Sequence, residues 1–144
     1  MYPKLWIFCG IIVSGLAVVS GAFGAHGLDK LLEKKLSENA EAAADPALSV
    51  TKLEHDYEVA VRYQMFHGLA LVAIGILATL WPSRWWDAAG GLLLIGVLVF
   101  CGGLYALVFT LDKSWGARVP FGGLAMILGW IAAAVAIVLA KRPN

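Results

Sequence analysis

The stretch LWIFCGIIVSGLAVVSGAFGA, Leu5 to Ala25, decides the fold. It contains no Asp, Glu, Lys, Arg or His, and it is as long as the roughly 20 apolar residues that cross a bilayer core. Backbone N–H and C=O groups find no water in hydrocarbon, so such a segment closes its own hydrogen bonds as a helix. Outward from it, three more uncharged gaps follow, from His67 to Arg84, from Asp87 to Asp112 and from Arg118 to Lys141. The pattern predicts an all-α, integral membrane four-helix bundle with spans at about 5–25, 59–81, 88–111 and 120–140. The first run resembles a cleaved leader only superficially. It is longer than a leader's apolar core, Phe8 before Cys9 spoils a lipoprotein-type cleavage box, and it is expected to remain as a span.

The chain has 144 residues, of which 60% are hydrophobic, so four spans and their connections use nearly all of it. Residues 1–144 therefore read as one domain. A net charge of +1 supplies no basic field, so the expected partner is the lipid bilayer and not nucleic acid. Cys9 and Cys101 both fall inside spans without CxxC spacing, and read as small buried apolar residues.

Between the first two spans, about 28–56, the chain is expected to lie outside the hydrocarbon. Leu28, Leu31, Leu32 and Leu36 make one face opposite Asp29, Lys30, Glu33, Lys34 and Lys35, which predicts an amphipathic helix lying in the membrane interface. Gly21, Gly24 and Gly27 predict a loosened helix end just before it. The acidic stretch from Glu41 to Ser49, interrupted by Pro46, reads as an exposed loop. Thr51 followed by Glu54 resembles a capping box opening the second helix, and Glu58 and Arg62 are spaced to pair along it. Trp81, Trp85 and Trp86 stand where an aromatic belt is expected. Lys30, Lys34, Lys35, Lys52, Lys113 and Arg118 outnumber Lys4, Arg84, Lys141 and Arg142, so the loop side is expected to face the cytoplasm and the termini the outside.

Two stripes of small residues predict close helix contacts. One is Gly10, Ser14, Ala17, Gly21 and Gly24, and the other is Ala125, Gly129, Ala132, Ala136 and Ala140. The polar residues within or beside the spans are the other handle. His26, Gln64 and His67 are expected on one side of the membrane at comparable depth, with Tyr63 four residues before His67 and Tyr105 on the third helix. Imidazole serves a metal, a haem or a proton, which makes His26 and His67 candidate ligands for haem or a metal such as copper. Tyr63, Gln64 and Tyr105 would complete a polar cluster around them. The same residues equally suit plain interhelical hydrogen bonds, with His26 among the headgroups. His55 reads as solvated, and Thr110 as bonded to its own helix. No nucleophile–base pair, phosphate loop or carboxylate pair lies in the spans, so no catalytic residue is expected.

Four ordered blocks, GAFGAHGL (Gly21 to Leu28), YEVAVRYQMFHGLAL (Tyr57 to Leu71), GGLYALVFT (Gly102 to Thr110) and VPFGGLAMILGW (Val119 to Trp130), resemble the domain of unknown function 423 family, the YgdD-like small inner-membrane proteins. The resemblance covers nearly the whole chain and implies a four-span protein, without implying a reaction. Its signature positions correspond to Gly24, His26, Gly27, Tyr63, Gln64, His67, Tyr105, Pro120, Gly122 and Gly123. The acidic first loop, around Glu38 to Asp56, departs from the family by its length. Three functions are open at this point: a structural or accessory subunit of a complex in the inner (plasma) membrane, joined to another membrane protein or as a homo-oligomer; a haem- or metal-binding protein using His26 and His67; and a small transporter or proton pathway with a Gln64/His67 site.

Overall fold

The computed structural model describes residues 2–140. Five α-helices and two 3-10 turns follow in order: α1 Pro3–Ser37, α2 Ala40–Ala43, a 3-10 turn Pro46–Leu48, α3 Val50–Leu80, α4 Trp85–Thr110, a 3-10 turn Gly116–Arg118, and α5 Val119–Leu139. Four helices, α1, α3, α4 and the segment Gly116–Leu139, are long and apolar enough to cross a membrane. Prolines open α1 and α5 at their first turns, where the missing N–H has no intrahelical partner to lose. Lys141 and Arg142, which enter the charge asymmetry, lie outside the described residues.

The helices stand in a row: α1 packs along α3, α3 against α4, and α4 against α5. Small residues set these contacts. A Cβ built on Gly10 would stand 2.6 Å from the Gly68 carbonyl, one on Gly68 would stand 2.9 Å from the Ser14 amide nitrogen, and one on Gly75 would stand 2.7 Å from the Pro3 carbonyl. The α4–α5 seam repeats the device: a Cβ on Gly96 would be 2.5 Å from Met126 Cγ, and one on Gly129 would be 2.6 Å from Leu93 Cδ2. In lipid, where apolar burial drives nothing between helices, backbone proximity and dispersion hold the bundle. At one end Asp87 accepts from the Trp6 indole N–H (2.9 Å) and the Tyr2 backbone N–H (3.1 Å), tying the start of α1 to α4. Trp85 is exposed as a belt residue, whereas Trp86 is buried and donates to the Trp81 carbonyl at 2.8 Å.

The opposite end differs from the expectation. There is no separate interfacial helix, because α1 runs unbroken through Gly21, Gly24 and Gly27 to Ser37. Gly24 lies against the Tyr57 ring, so the glycine serves a close approach and does not end the helix. Leu28, Leu32 and Leu36 then bury themselves in a cluster with Leu53, Tyr57, Leu107 and Val108. The apolar face predicted for lipid is covered by protein. At ~1.5 Å per residue α1 is about 52 Å long and α3 about 46 Å, so both overrun a hydrocarbon core of ~30 Å.

The stretch read as an exposed loop is folded onto this projecting end. Asn39 Oδ1 accepts from the Ala42 N–H (3.0 Å) to cap α2, and Asp45 Oδ1 accepts from the Ala47 N–H (2.9 Å) ahead of Pro46. Ala42 and Leu48 are buried in the leucine cluster. The Lys113 ammonium donates to Asp45, and Lys35 donates to the Phe109 carbonyl, closing the cap over α4. The predicted capping box is not used: α3 starts at Val50 with Ser49 as N-cap and no side-chain bond there. Glu58 and Arg62 do not pair; the ion pairs among the described residues are Lys34–Glu38, Lys52–Asp56 and Lys113–Asp45.

Candidate functional site

The polar groups of the spans gather around α3. The backbone is already bonded in a helix, so a polar side chain there must find a spare carbonyl or another side chain. Gln64 finds both. Its Nε2 donates to the Val13 carbonyl of α1 at 3.0 Å, and its Oε1 accepts from the Tyr105 hydroxyl of α4 at 2.7 Å. Two turns earlier on the same face, Tyr57 donates to the Ser20 carbonyl of α1 at 2.8 Å, and its ring meets Tyr105 with centroids 5.1 Å apart. One glutamine and two tyrosines thus bond α1, α3 and α4 together.

His67 serves the other side of α3. The Trp130 indole N–H on α5 donates to His67 Nε2 at 3.3 Å, which leaves Nδ1 to donate to the Tyr63 carbonyl at 2.8 Å. Both ring nitrogens are engaged, in the tautomer that carries its proton on Nδ1. The imidazole also stacks on Tyr63 (centroids 5.8 Å, 17°), which stacks in turn on Phe100 (4.9 Å, 27°). Gln64 and His67 are 7% and 6% exposed. Ser14 Oγ, buried on α1 against Gly68, has no hydrogen-bond partner.

The predicted cluster is therefore only partly assembled. Gln64 and Tyr105 meet directly. Tyr63 does not join them: it is 41% exposed and contributes its ring and its carbonyl to His67. His26 is set apart altogether. It is exposed on α1 beyond Gly24, which faces Tyr57, whereas His67 adjoins Gly68, which faces Ser14. The twelve positions from Ser14 to His26 place about 18 Å of helix rise between the two imidazoles. A shared ion needs each donor within a little over 2 Å, so His26 and His67 do not form one haem or metal site. Among the described residues no group of three or more His, Cys, Asp or Glu side chains is placed to hold a metal. Cys9 is half-buried and Cys101 buried, both as free thiols, and Thr110 donates to the Ala106 carbonyl of its own helix at 2.6 Å.

Sequence reasoning missed Tyr57 and Trp130 as polar ties, and read Ser14 only as a small residue at a helix contact, which it also is. The seven-residue spacing of Tyr57 and Gln64 puts them on one helix face and was a usable signal. Nothing local marked Trp130, whose partner sits 63 residues away.

The family described as "Protein of unknown function (DUF423)" matches residues 20–123, from the middle of α1 to the start of α5. The chain belongs to that family. The DUF423 match includes Tyr57, Gln64, His67 and Tyr105 but stops short of Trp130. The UPF0382 membrane protein of Staphylococcus haemolyticus is 42% identical over 130 residues, covering 89% of this chain and 90% of the relative. A UPF0382 membrane protein of Staphylococcus epidermidis is 38% identical over 136 residues, covering 92% of this chain and 94% of the relative. No solved structure matches. The protein is thus a multi-pass membrane protein of a family whose activity is not named.

Proposed function

We propose that this protein is a non-enzymatic structural or accessory subunit of a membrane assembly in the inner (plasma) membrane, joined to another membrane protein or to further copies of itself. One observation carries the reading: four polar side chains of the spans, Tyr57, Gln64, His67 and Tyr105, are engaged in bonds to a neighbouring helix. Gln64 uses both ends of its amide, Tyr57 and Tyr105 use their hydroxyls, and His67 accepts from Trp130 of α5 while its other ring nitrogen bonds Tyr63 of its own helix. Such bonds fix the arrangement of the helices. Extraction into lipid nanodiscs at native expression level, followed by mass measurement, is expected to give a particle well above one 15.4 kDa chain plus lipid. Recovery of the single chain alone would overturn the subunit reading.

A second reading, a proton or small-solute pathway at Gln64 and His67, rests on the unpartnered Ser14 hydroxyl buried beside Gly68. Buried hydroxyls without a partner call for an explanation, and a transient proton or solute contact supplies one. Proteoliposome flux that His67→Ala abolishes while the bundle stays folded is the expected result; unchanged flux rejects His67 as the site.

A further inference from the structure

A groove of about 530 Å³ lies between α1 and α3 where they leave the hydrocarbon. Gly21 and Gly24 open it on one side, Glu54, Glu58, Val61 and Arg62 line the other, and the Tyr57 ring lies between them. The three charged residues are four apart, so they stand in one line along α3, each about 6 Å deeper than the last. Arg62 is innermost, next to Val61, a methyl of which would stand 3.5 Å from a Cβ built on Gly21. Beyond that level α1 carries no charge until Lys4. Glu58 and Arg62 have the spacing and order that favour an ion pair on a helix, yet they do not pair, and both are exposed. The groove therefore presents two separate charges to a ligand, positive near the hydrocarbon and negative farther out.

We infer that this groove binds the headgroup of an ethanolamine-type phospholipid, with its phosphate on Arg62 and its ammonium on Glu58 and Glu54. The order of charges decides the occupant. In such a lipid the phosphate joins the glycerol at the hydrocarbon edge and the primary ammonium stands farther towards water, which matches the sequence Arg62, Glu58, Glu54 read outward. A guanidinium takes two phosphate oxygens in its planar fork, and a primary ammonium donates to both carboxylates. A phosphoglycerol headgroup has no cation for the glutamates and brings a net negative charge against them. A phosphocholine headgroup has a cation without N–H donors. Gly21 and Gly24 let Val61 and the Tyr57 ring lie close to α1, so that the charged side chains of α3 border the groove, and the acyl chains continue past Val61 into the bilayer. This assignment does not depend on whether the protein has a protein partner.

The full chain in mild detergent, titrated with ethanolamine, glycerol and choline phospholipids of identical acyl chains and followed by non-denaturing mass spectrometry, tests it. The ethanolamine lipid is expected to bind about tenfold more tightly than either of the others. Arg62→Gln should remove that binding. The double substitution Glu54→Gln and Glu58→Gln should abolish the preference over the glycerol lipid. Circular dichroism checks that each variant keeps its helices. Equal binding of the three lipids, preference for the glycerol lipid, or folded variants that retain the wild-type order would each overturn the proposal. Water-soluble phosphoethanolamine provides the last arm: if it binds as tightly as the lipid, the site takes the free compound and the lipid assignment fails.

Discussion

Helices α1 and α3 are packed by two different means along their own lengths. In the membrane-spanning part they meet through Gly10, Ser14, Gly68 and Gly75, with backbones nearly touching. In the projecting part they meet through Leu28, Leu32, Leu36, Leu53 and Tyr57, with full side chains interleaved and the α2 turn laid on top. The change follows the medium. Leucine gains nothing by leaving lipid for another leucine, so small residues and close dispersion contacts do the work in the bilayer. Outside it, moving a leucine out of water is favourable by about 2 kcal/mol, so large apolar side chains return. One helix thus carries both codes, and the switch falls at Gly24–Leu28.

The sharpest way to break the contrast is to put a side chain where the membrane half has none. Gly68→Leu would drive a branched chain into the Ser14 backbone, 2.9 Å from where its Cβ must sit, and should separate α1 from α3. Overpacking of this kind costs about 3 kcal/mol, and equilibrium unfolding in mixed micelles should show that loss or no folded state. Gly15→Ala is the control. Nothing lies within 4 Å of a Cβ there, so stability should hold or rise by roughly 0.5 kcal/mol. Equal damage from both substitutions would mean that glycine proximity is not what holds the spans.

In the cap the opposite change should hurt. Leu32 is fully buried, and Leu32→Ala should cost about 3 kcal/mol by lost burial and the cavity left behind. Hydrogen exchange should rise first in the cap segment, 28–53, while the glycine seams stay protected. A uniform loss across the whole chain would mean the two regions are one cooperative unit.

Gln64→Leu probes the polar ties and should have a smaller effect. It removes the bonds to Val13 and Tyr105, yet hydrogen bonds between helices in lipid average only about 0.6 kcal/mol each. A loss near 1 kcal/mol by reversible unfolding is expected. A loss several times larger would give Gln64 a role beyond tying three helices.

The weakest effect belongs to the surface ion pair of the cap. The Lys113 ammonium bonded to Asp45 holds that carboxyl below its ordinary value of 3.8, with help from the Ala47 N–H. The same bond raises Lys113 above its ordinary 10.5. A depressed carboxyl pKa contributes stability that is present above the ordinary value and lost as pH falls through the folded one. A raised ammonium pKa contributes stability that is present below 10.5 and lost as pH rises through its folded value. Lys113→Met should therefore leave a small deficit at neutral pH that vanishes in acid and in high salt. A deficit independent of both would point to lost packing of the lysine stem.

The spans were legible because charge-free runs of that length have one structural solution in hydrocarbon. The stripe from Gly10 to Gly24 was legible for the same reason, and it faces α3 as its spacing required. Gln64 and Tyr105 could be picked out as polar residues in apolar runs, and they bond to each other. What stayed hidden depends on distant partners. Three glycines near His26 read as a helix end by local propensity, but Tyr57 packing on Gly24 and the leucine face beyond it outweigh that preference. The Asn39 and Asp45 caps were present in the sequence, while the burial of Leu48 that makes them useful is set by α1 and α4. His26 and His67 looked like a pair because both are imidazoles near one boundary; only the α1–α3 register shows them a dozen positions apart in depth.

A single nitroxide label walked from Leu16 to Ser37 tests the continuous α1 most directly, by accessibility to oxygen and to a water-soluble nickel chelate in liposomes. The account predicts one unbroken helical period, with exposed positions changing from oxygen-accessible at Leu16, Val18 and Val19 to nickel-accessible at Asp29, Lys30 and Glu33, and with Leu28 and Leu32 shielded from both. Loss of the period at Gly24–Gly27, or oxygen reaching Leu28 and Leu32, would contradict it and return that segment to the membrane surface.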